Sequence, residues 1–445
     1  MYEKIYNLID QKDIVNLKLE LLKLNEADIA EILDEIDDNE KRIRIFRLLP
    51  KTIAADVFAN LDLDNQQNII TSLSMKEAGT ILDNLFADDA VDLIEEMPAN
   101  IVTKLLKNTT KETRADINFL LKYPINSAGS IMNTAYIDLK ENITVNQAIE
   151  KIRKEKEDTE TLNICFVLDK ERKLKGAIFL KDLLFNKPET LIKDIMETKV
   201  LYVNTYDDQE EVANSFSKYD VNTMPVVDSE NRMVGIITID DIVDIMEQEA
   251  TEDIEKMAAI SPTDKPYMKT SVFETWKKRI PWLLLLMISA TFTGKIIQTY
   301  EEALASYVIL TSFIPMFMDT GGNAGGQASV TIIRGISLKE IEFKDILKII
   351  WKEFRVAILT GITLAAANFI KLLVIDKVSM SIASVVCLTL IVTIIFAKIV
   401  GCTLPLLAKK IGFDPAVMAS PFITTIVDAL SLITYFQIAT ILLGI

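Results

Sequence analysis

The stretch FVLDKERKLKGAIFLKDLL, residues 166–184, is written a second time as PVVDSENRMVGIITIDDIV, residues 225–243. In each, an apolar run ends on an aspartate, Asp169 or Asp228, and a charged turn follows. Seven residues on stands a glycine, Gly176 or Gly235, then a second apolar run, and six residues beyond the glycine another aspartate, Asp182 or Asp241. Corresponding positions lie 59 residues apart. The spacing predicts a tandem repeat of a strand–turn–strand–helix unit within residues 131–253. The last aspartate of each copy suits a helix N-cap.

The preceding residues, 1–130, read differently. ADIAEILDEID, AADVFANLD, AGTILDNL and DDAVDLIEEMP each space small and aliphatic residues three or four apart, and Pro50 and Pro98 fall between such pieces. Short helices in a superhelical stack are expected, each covering the apolar face of the next. This front part is acidic: the first 270 residues hold 33 basic and 53 acidic side chains of a chain whose net charge is −16. Nucleic acid is excluded as a partner, since phosphate binding needs clustered Lys and Arg. Carboxylates at this density either attract cations or keep the domain soluble.

Residue types that are missing narrow the chemistry. The chain has no histidine and only three scattered cysteines, Cys165, Cys387 and Cys402. A Ser-His-Asp triad, a zinc–histidine site and a histidine pH sensor are ruled out, and no disulfide framework is expected. No nucleophile–base pair or phosphate loop suggests an enzyme. The N-terminus, MYEKIYNLIDQKD, has no apolar core of a signal peptide, so the front half is expected in the cytoplasm.

Five apolar segments follow, at about 280–298, 304–330, 356–376, 381–408 and 417–444. Each meets the length of roughly 20 residues needed to cross the hydrocarbon core. Lys277, Lys278 and Arg279 precede the first; Arg334, Lys339, Lys344, Lys348, Lys352 and Arg355 follow the second; Lys409 and Lys410 precede the fifth. This alternation predicts a cytoplasmic N-terminus and an external C-terminus. Residues 246–282 leave the repeats as a polar helix, interrupted at Ser261-Pro262, that connects the soluble and membrane parts.

Two features of the membrane half are costly in lipid. PMFMDTGGNAGGQASVTIIRG, residues 315–335, carries Asp319, Asn323 and Gln327 four apart, hence on one helical face. Its glycines, including Gly322, sit at small-xxx-small spacing, for which close helix packing is a sufficient reason. The polar stripe reads as the wall of a hydrated passage. Asp428 is the one ionisable residue of the fifth segment and is read either as a cation site or as a neutral acid hydrogen-bonded to Thr or Ser.

The repeats resemble a pair of CBS domains, and the whole chain resembles the MgtE family of magnesium channels. The carriers are the acidic helical N-domain, DQEEVA (208–213), DDIVDIMEQEATEDI (240–254), GGNAGGQAS (321–329) and FDPAVMASPFITTIVD (413–428). The resemblance implies an all-α superhelical N-domain (1–130), α/β tandem CBS domains (131–253), a connecting plug helix (254–278) and a five-helix transmembrane domain (279–445). It implies a homodimer in the plasma membrane, with Asp428 of each subunit holding hydrated Mg2+ on the dimer axis and Asn323, Asp319, Gly322 and Ser420 along the pore. Ser420 stands where some relatives carry Asn. It further implies closure by cytosolic Mg2+, held by Asp208, Glu210, Asp220, Asp241, Asp244, Glu249, Glu252 and Asp253, by Asp56, Asp88 and Asp92 of the N-domain, and by Asp414 at the cytoplasmic end of the membrane part. Lys181 and Asp182 match a position that contacts ATP in relatives. An ion-coupled carrier or exporter of divalent cations such as Co2+ or Mn2+, and a membrane-anchored nucleotide sensor, remain as alternatives.

Overall fold

The computed structural model describes residues 2–155, 159–263, 267–268, 270–301, 305, 307–418 and 420–444. It divides into two compact units, residues 1–246 and 247–445.

The first unit opens with ten helices of eight to ten residues: α1 (Tyr2–Gln11), α2 (Ile14–Leu21), α3 (Glu26–Asp34), α4 (Asn39–Phe46), α5 (Lys51–Ala59), α6 (Leu63–Ser72), α7 (Met75–Leu82), α8 (Ala87–Glu95), α9 (Ala99–Lys107) and α10 (Lys111–Leu120). Local signals start several of them. Asp13, Asn25, Asp38 and Ser74 accept hydrogen bonds from the first-turn amides, and Ser74 with Glu77 forms a capping box. Pro50 and Pro98 stand immediately before α5 and α9, where their fixed φ suits a helix entry. From α3 onward each helix packs on the next but one, α3 on α5, α5 on α7 and α7 on α9, with α4, α6, α8 and α10 forming the second row. That alternation is the expected superhelical stack. Its core is aliphatic and runs on into Val212, Phe216, Met224 and Ile237 of the second repeat.

The repeats fold as two three-stranded sheets with the same order. In the first, β1 (Asp138–Leu139) lies parallel to β2 (Ile164–Leu168), which pairs antiparallel with β3 (Leu174–Phe179). In the second, β4 (Val203–Asn204), β5 (Thr223–Val227) and β6 (Met233–Thr238) repeat that arrangement. The aspartates that end β2 and β5 build their turns. Asp169 accepts from the amides of Glu171 and Lys173, and Asp228 from those of Glu230 and Arg232. Arg172 and Asn231 take positive φ at matching places, beside matching register shifts. α11 (Val145–Glu155) and α13 (Gln209–Tyr219) cross between strands, while α12 (Leu180–Phe185) and α14 (Ile239–Met257) follow β3 and β6. Asp182 and Asp241 do not occupy the N-caps expected for them. Each is the third residue of its helix, where a carboxylate still faces the positive end of the dipole.

α14 begins in the first unit and ends in the second. The connecting segment, 254–278, expected to be interrupted at Ser261-Pro262, is divided around that point. Residues 254–257 finish α14, and 272–278 open α15 (Val272–Thr299). Ala259 at φ 56° stops the first helix, and Pro262 follows it. Residues 264–266 and 269 of that segment lie outside the described residues.

α15, α16 (Ile314–Ser337), α17 (Ile346–Val374), α18 (Met380–Lys410) and α19 (Ser420–Leu443) make up most of the second unit. α16, α18 and α19 pack on one another, α17 packs on α18, and α15 on α19. Among the described residues four stretches are long and apolar enough to cross a membrane: 272–299, 343–374, 380–410 and 416–443. α16 spans about 36 Å at 1.5 Å per residue, but its polar residues and glycines lower its hydropathy below theirs. It starts at 314 rather than 304, because Pro315 initiates it and the residues before it form a 3-10 turn, Val308–Phe313.

Candidate metal-binding and transport sites

Between the helical stack and the second repeat lies a group of carboxylates. α8 supplies Asp88 and Asp89, both half-buried, and Asp92 one turn further on. α14 supplies Asp240 and Asp241 in its first turn, and the loop before β2 supplies Glu160. Asn133 ties three elements together. Its Nδ2 donates to Glu160 Oε2 at 2.8 Å and to Asp88 Oδ1 at 3.2 Å. Thr238 donates to Asp241 Oδ2 at 2.9 Å. Burial first, and then the neighbouring carboxylates, push the acids upward: Asp89 to about 6, Asp241 to about 6 and Glu160 to about 7. Asp88 is raised well above the ordinary range for the same reasons, with Asp89, Asp241 and Glu160 acting on it. No Lys or Arg forms an ion pair with any of these four among the described residues. Among the described residues, likewise, no three carboxylate or thiol side chains stand close enough to hold one ion directly. The arrangement suits a hard cation that keeps its water shell and is held through those waters.

Of the ligands expected from sequence, Asp88, Asp92 and Asp241 therefore come together. Asp56, exposed on α5, acts on Asp89 through space. Asp89, Glu160 and Asn133 were not foreseen. Asp89 stood in plain view in DDAVD, but Glu160 and Asn133 carry no local signal. Asp208 and Glu210 lie at the start of the 11-residue α13 and Asp220 at its left-handed end, so they do not form one site within a chain. Asp244, Glu249, Glu252 and Asp253 follow along α14. Lys181 is exposed with its ammonium 5.0 Å from the Phe179 ring, and Asp182 is half-buried beside it.

In the second unit the two faces of α16 have opposite character. Gly321, Gly322, Ala324, Gly325, Ala328 and Ser329 are buried, while Asp319, Asn323 and Gln327 form an exposed stripe. Asn323 Nδ2 donates to Asp319 Oδ1 at 3.1 Å. The buried face meets α18 and α19 at backbone distance. A Cβ at Gly325 would stand 2.6 Å from Ile423 Cγ2 and 3.1 Å from the Ala397 carbonyl, and one at Gly401 would run into the Gly325 carbonyl. The glycines thus serve close packing, and the polar stripe is a separate feature. Asp428 lies half-buried on α19, one turn beyond Thr424, which packs on Gly322. Its Oδ1 is buried with no hydrogen-bond partner among the described residues, so the bond to Thr or Ser of the alternative, neutral-acid reading is not made by this atom. The side chain of Ser420 lies outside the described residues.

Two largely buried lysines of the second unit are paired with carboxylates. Lys398 of α18 and Glu353 of α17, both largely buried, stand 3.6 Å apart. Lys256, at the end of α14, bridges Glu252 and Asp414, with its Nζ 2.6 Å from Asp414 Oδ2.

Comparison with known proteins agrees with both parts. A family profile described as a divalent cation transporter, MgtE, matches residues 314–438; the MgtE intracellular N domain matches 24–126, and CBS domains match 128–188 and 192–248. The magnesium transporter MgtE of Thermus thermophilus is 33% identical, covering 98% of this chain and 97% of that one. The MgtE of Bacillus subtilis is 32% identical over 94% and 92%. A crystal structure of the cytosolic domain of the Mg2+ channel MgtE in complex with ATP covers 55% of this chain and all of that one, at 33% identity and a TM-score of 0.53. Helical stack, tandem repeats and glycine-bearing membrane helix are matched in order along nearly the full length, and the chain belongs to the MgtE family of divalent cation transporters.

Proposed function

We propose that this chain carries Mg2+ across a membrane and that Mg2+ on the side of its N-terminal domains closes the path. The observation that carries the transport reading is the exposed stripe Asp319–Asn323–Gln327 on a helix embedded among apolar ones. Such a stripe is costly against lipid and favourable against water or a second copy. A homodimer would turn two stripes and two Asp428 residues toward a common axis, where hydrated Mg2+ passes. The Lys and Arg pattern supports a multi-pass plasma-membrane protein with residues 1–278 in the cytoplasm and the C-terminus outside.

Closure follows from the carboxylates at the α8–α14 contact. Asp88, Asp89, Glu160 and Asp241 repel one another when ionised, and a divalent cation among them offsets that repulsion. The same reading gives Asp92, Asp56, Asp244, Glu249 and Asp253 shares in binding the regulatory ion, and gives Asp208, Glu210 and Asp220 a role between copies. An adenine nucleotide at Lys181 and Asp182 is the second ligand of this reading, supported by the relative's complex with ATP. The transport step is tested with Asp428→Ala in liposomes loaded with a Mg2+ indicator. Flux should disappear while the protein keeps its oligomeric size; wild-type flux in that variant would take Asp428 out of the path.

A further inference from the structure

The last two turns of α14 dock on the membrane helices through three kinds of contact. Met257 packs against Ile333 of α16 and Ala416, the residue that opens the turn before α19. Pro262 and Thr263, just beyond the helix, are held by two further bonds. The amide of Thr263 donates to Glu255 at 2.8 Å, and Lys278 Nζ donates to the Pro262 carbonyl at 2.6 Å. Between them, Lys256 bonds to Glu252 on its own helix and to Asp414, whose other oxygen accepts from the Ala416 amide at 2.8 Å. Asp414 therefore couples the ammonium to the turn that leads into the Asp428 helix.

The family resemblance implies that Glu252 and Asp414 are both cation ligands. In the structure a cation already stands there, and it is covalently part of the chain. All three side chains are about two-thirds buried or more, so the pair is shielded from solvent far better than a surface ion pair.

We propose that Lys256 is a positioning residue for the gate: its ammonium takes the place of a divalent ion between Glu252 and Asp414, so that the end of α14 stays docked on α16 and α19 without metal at this contact. The inference rests on the proposed reading that Mg2+ on the side of the N-terminal domains closes the path; it adds the end of α14 to the closing device and so gives closure two separable parts. The α8–α14 carboxylates need an added cation; the α14–α19 contact carries its own. Removing the ammonium leaves two carboxylates facing each other, and docking then becomes dependent on Mg2+.

The test uses the full chain in lipid nanodiscs and liposomes. In Lys256→Gln, hydrogen exchange at residues 252–257 and 416–418 in EDTA should accelerate about tenfold or more, the worth of a charge-assisted hydrogen bond. Added Mg2+ should restore protection, and half-inhibition of flux should move to several-fold higher Mg2+. Lys256→Arg should behave as wild type in both assays. In Asp414→Asn, a further Lys256→Gln change should have little added effect. Unchanged exchange in Lys256→Gln would overturn the proposal. So would half-inhibition at lower Mg2+, which would make the lysine an obstruction to a metal site. Wild-type flux insensitive to cytosolic Mg2+ would instead refute the gating reading, while the exchange arm would still decide whether Lys256 holds the helix down.

Discussion

Asp89 offers the sharpest test of the repulsion argument, because its charge opposes the α8–α14 contact and Asn replaces it at equal size. Its carboxyl is pushed from the ordinary 3.8 up to about 6, first by burial and then by Asp241, Asp240 and Asp56. At about 1.4 kcal/mol per pH unit, keeping it ionised in the closed contact costs on the order of 3 kcal/mol. The surrounding acids titrate together, so removing one charge recovers about half of that, or roughly tenfold in the closing equilibrium. Asp89→Asn should therefore close the contact more in the absence of metal. Hydrogen exchange of the full chain in EDTA should slow about tenfold over α8 and the first turns of α14, and flux should be half-inhibited at lower Mg2+ than in wild type. Exchange in EDTA that is unchanged or faster would refute the idea that mutual repulsion holds this contact open.

The same carboxylates predict a pH dependence. With pKa values of about 6 for Asp89 and Asp241 and about 7 for Glu160, all above their separated values, the closed contact binds more protons than the open one. Without divalent ions it should be most stable below about pH 4, weaken as pH rises through about 5 and 6, and level off above about pH 7, read as the distance between spin labels on α8 and α14; millimolar Mg2+ should flatten the profile. Gly401→Ala would drive a methyl into the Gly325 carbonyl and should cost flux through loss of the folded bundle, visible as a lowered melting temperature. Breaking the buried Lys398–Glu353 pair with Glu353→Gln should destabilise the bundle by about 3–5 kcal/mol, and Lys398→Met with Glu353→Gln together by much less; a thermal-stability cycle in detergent measures the difference.

Where the fold could be read from sequence, a local cause was always at work. The 59-residue repeat announced two matching sheets because Asp169 and Asp228 each gather two amides of their own turn. The helical stack was legible because proline and capping residues separate short amphipathic pieces. Helix ends were harder. Asp182 and Asp241 sit in the third position because Phe179 and Thr238 still belong to strands. Tertiary contacts were not legible at all. Nothing near Glu160 tells that it shares Asn133 with Asp88. Lys398 was visible as a charge in an apolar run, but its partner Glu353 lies on another helix. Lys256 carries no local signal that marks it, and only the fold brings Asp414 to it.

The central claim is that one cation is both cargo and signal. Purified protein in liposomes, with the N-terminal domains facing outward and outside Mg2+ stepped from micromolar to tens of millimolar, tests it directly. The account predicts Mg2+ flux that falls as Mg2+ on the side of those domains rises. Flux that only grows with Mg2+ on that side would contradict it, and would leave the carboxylates between α8 and α14 without the role assigned to them.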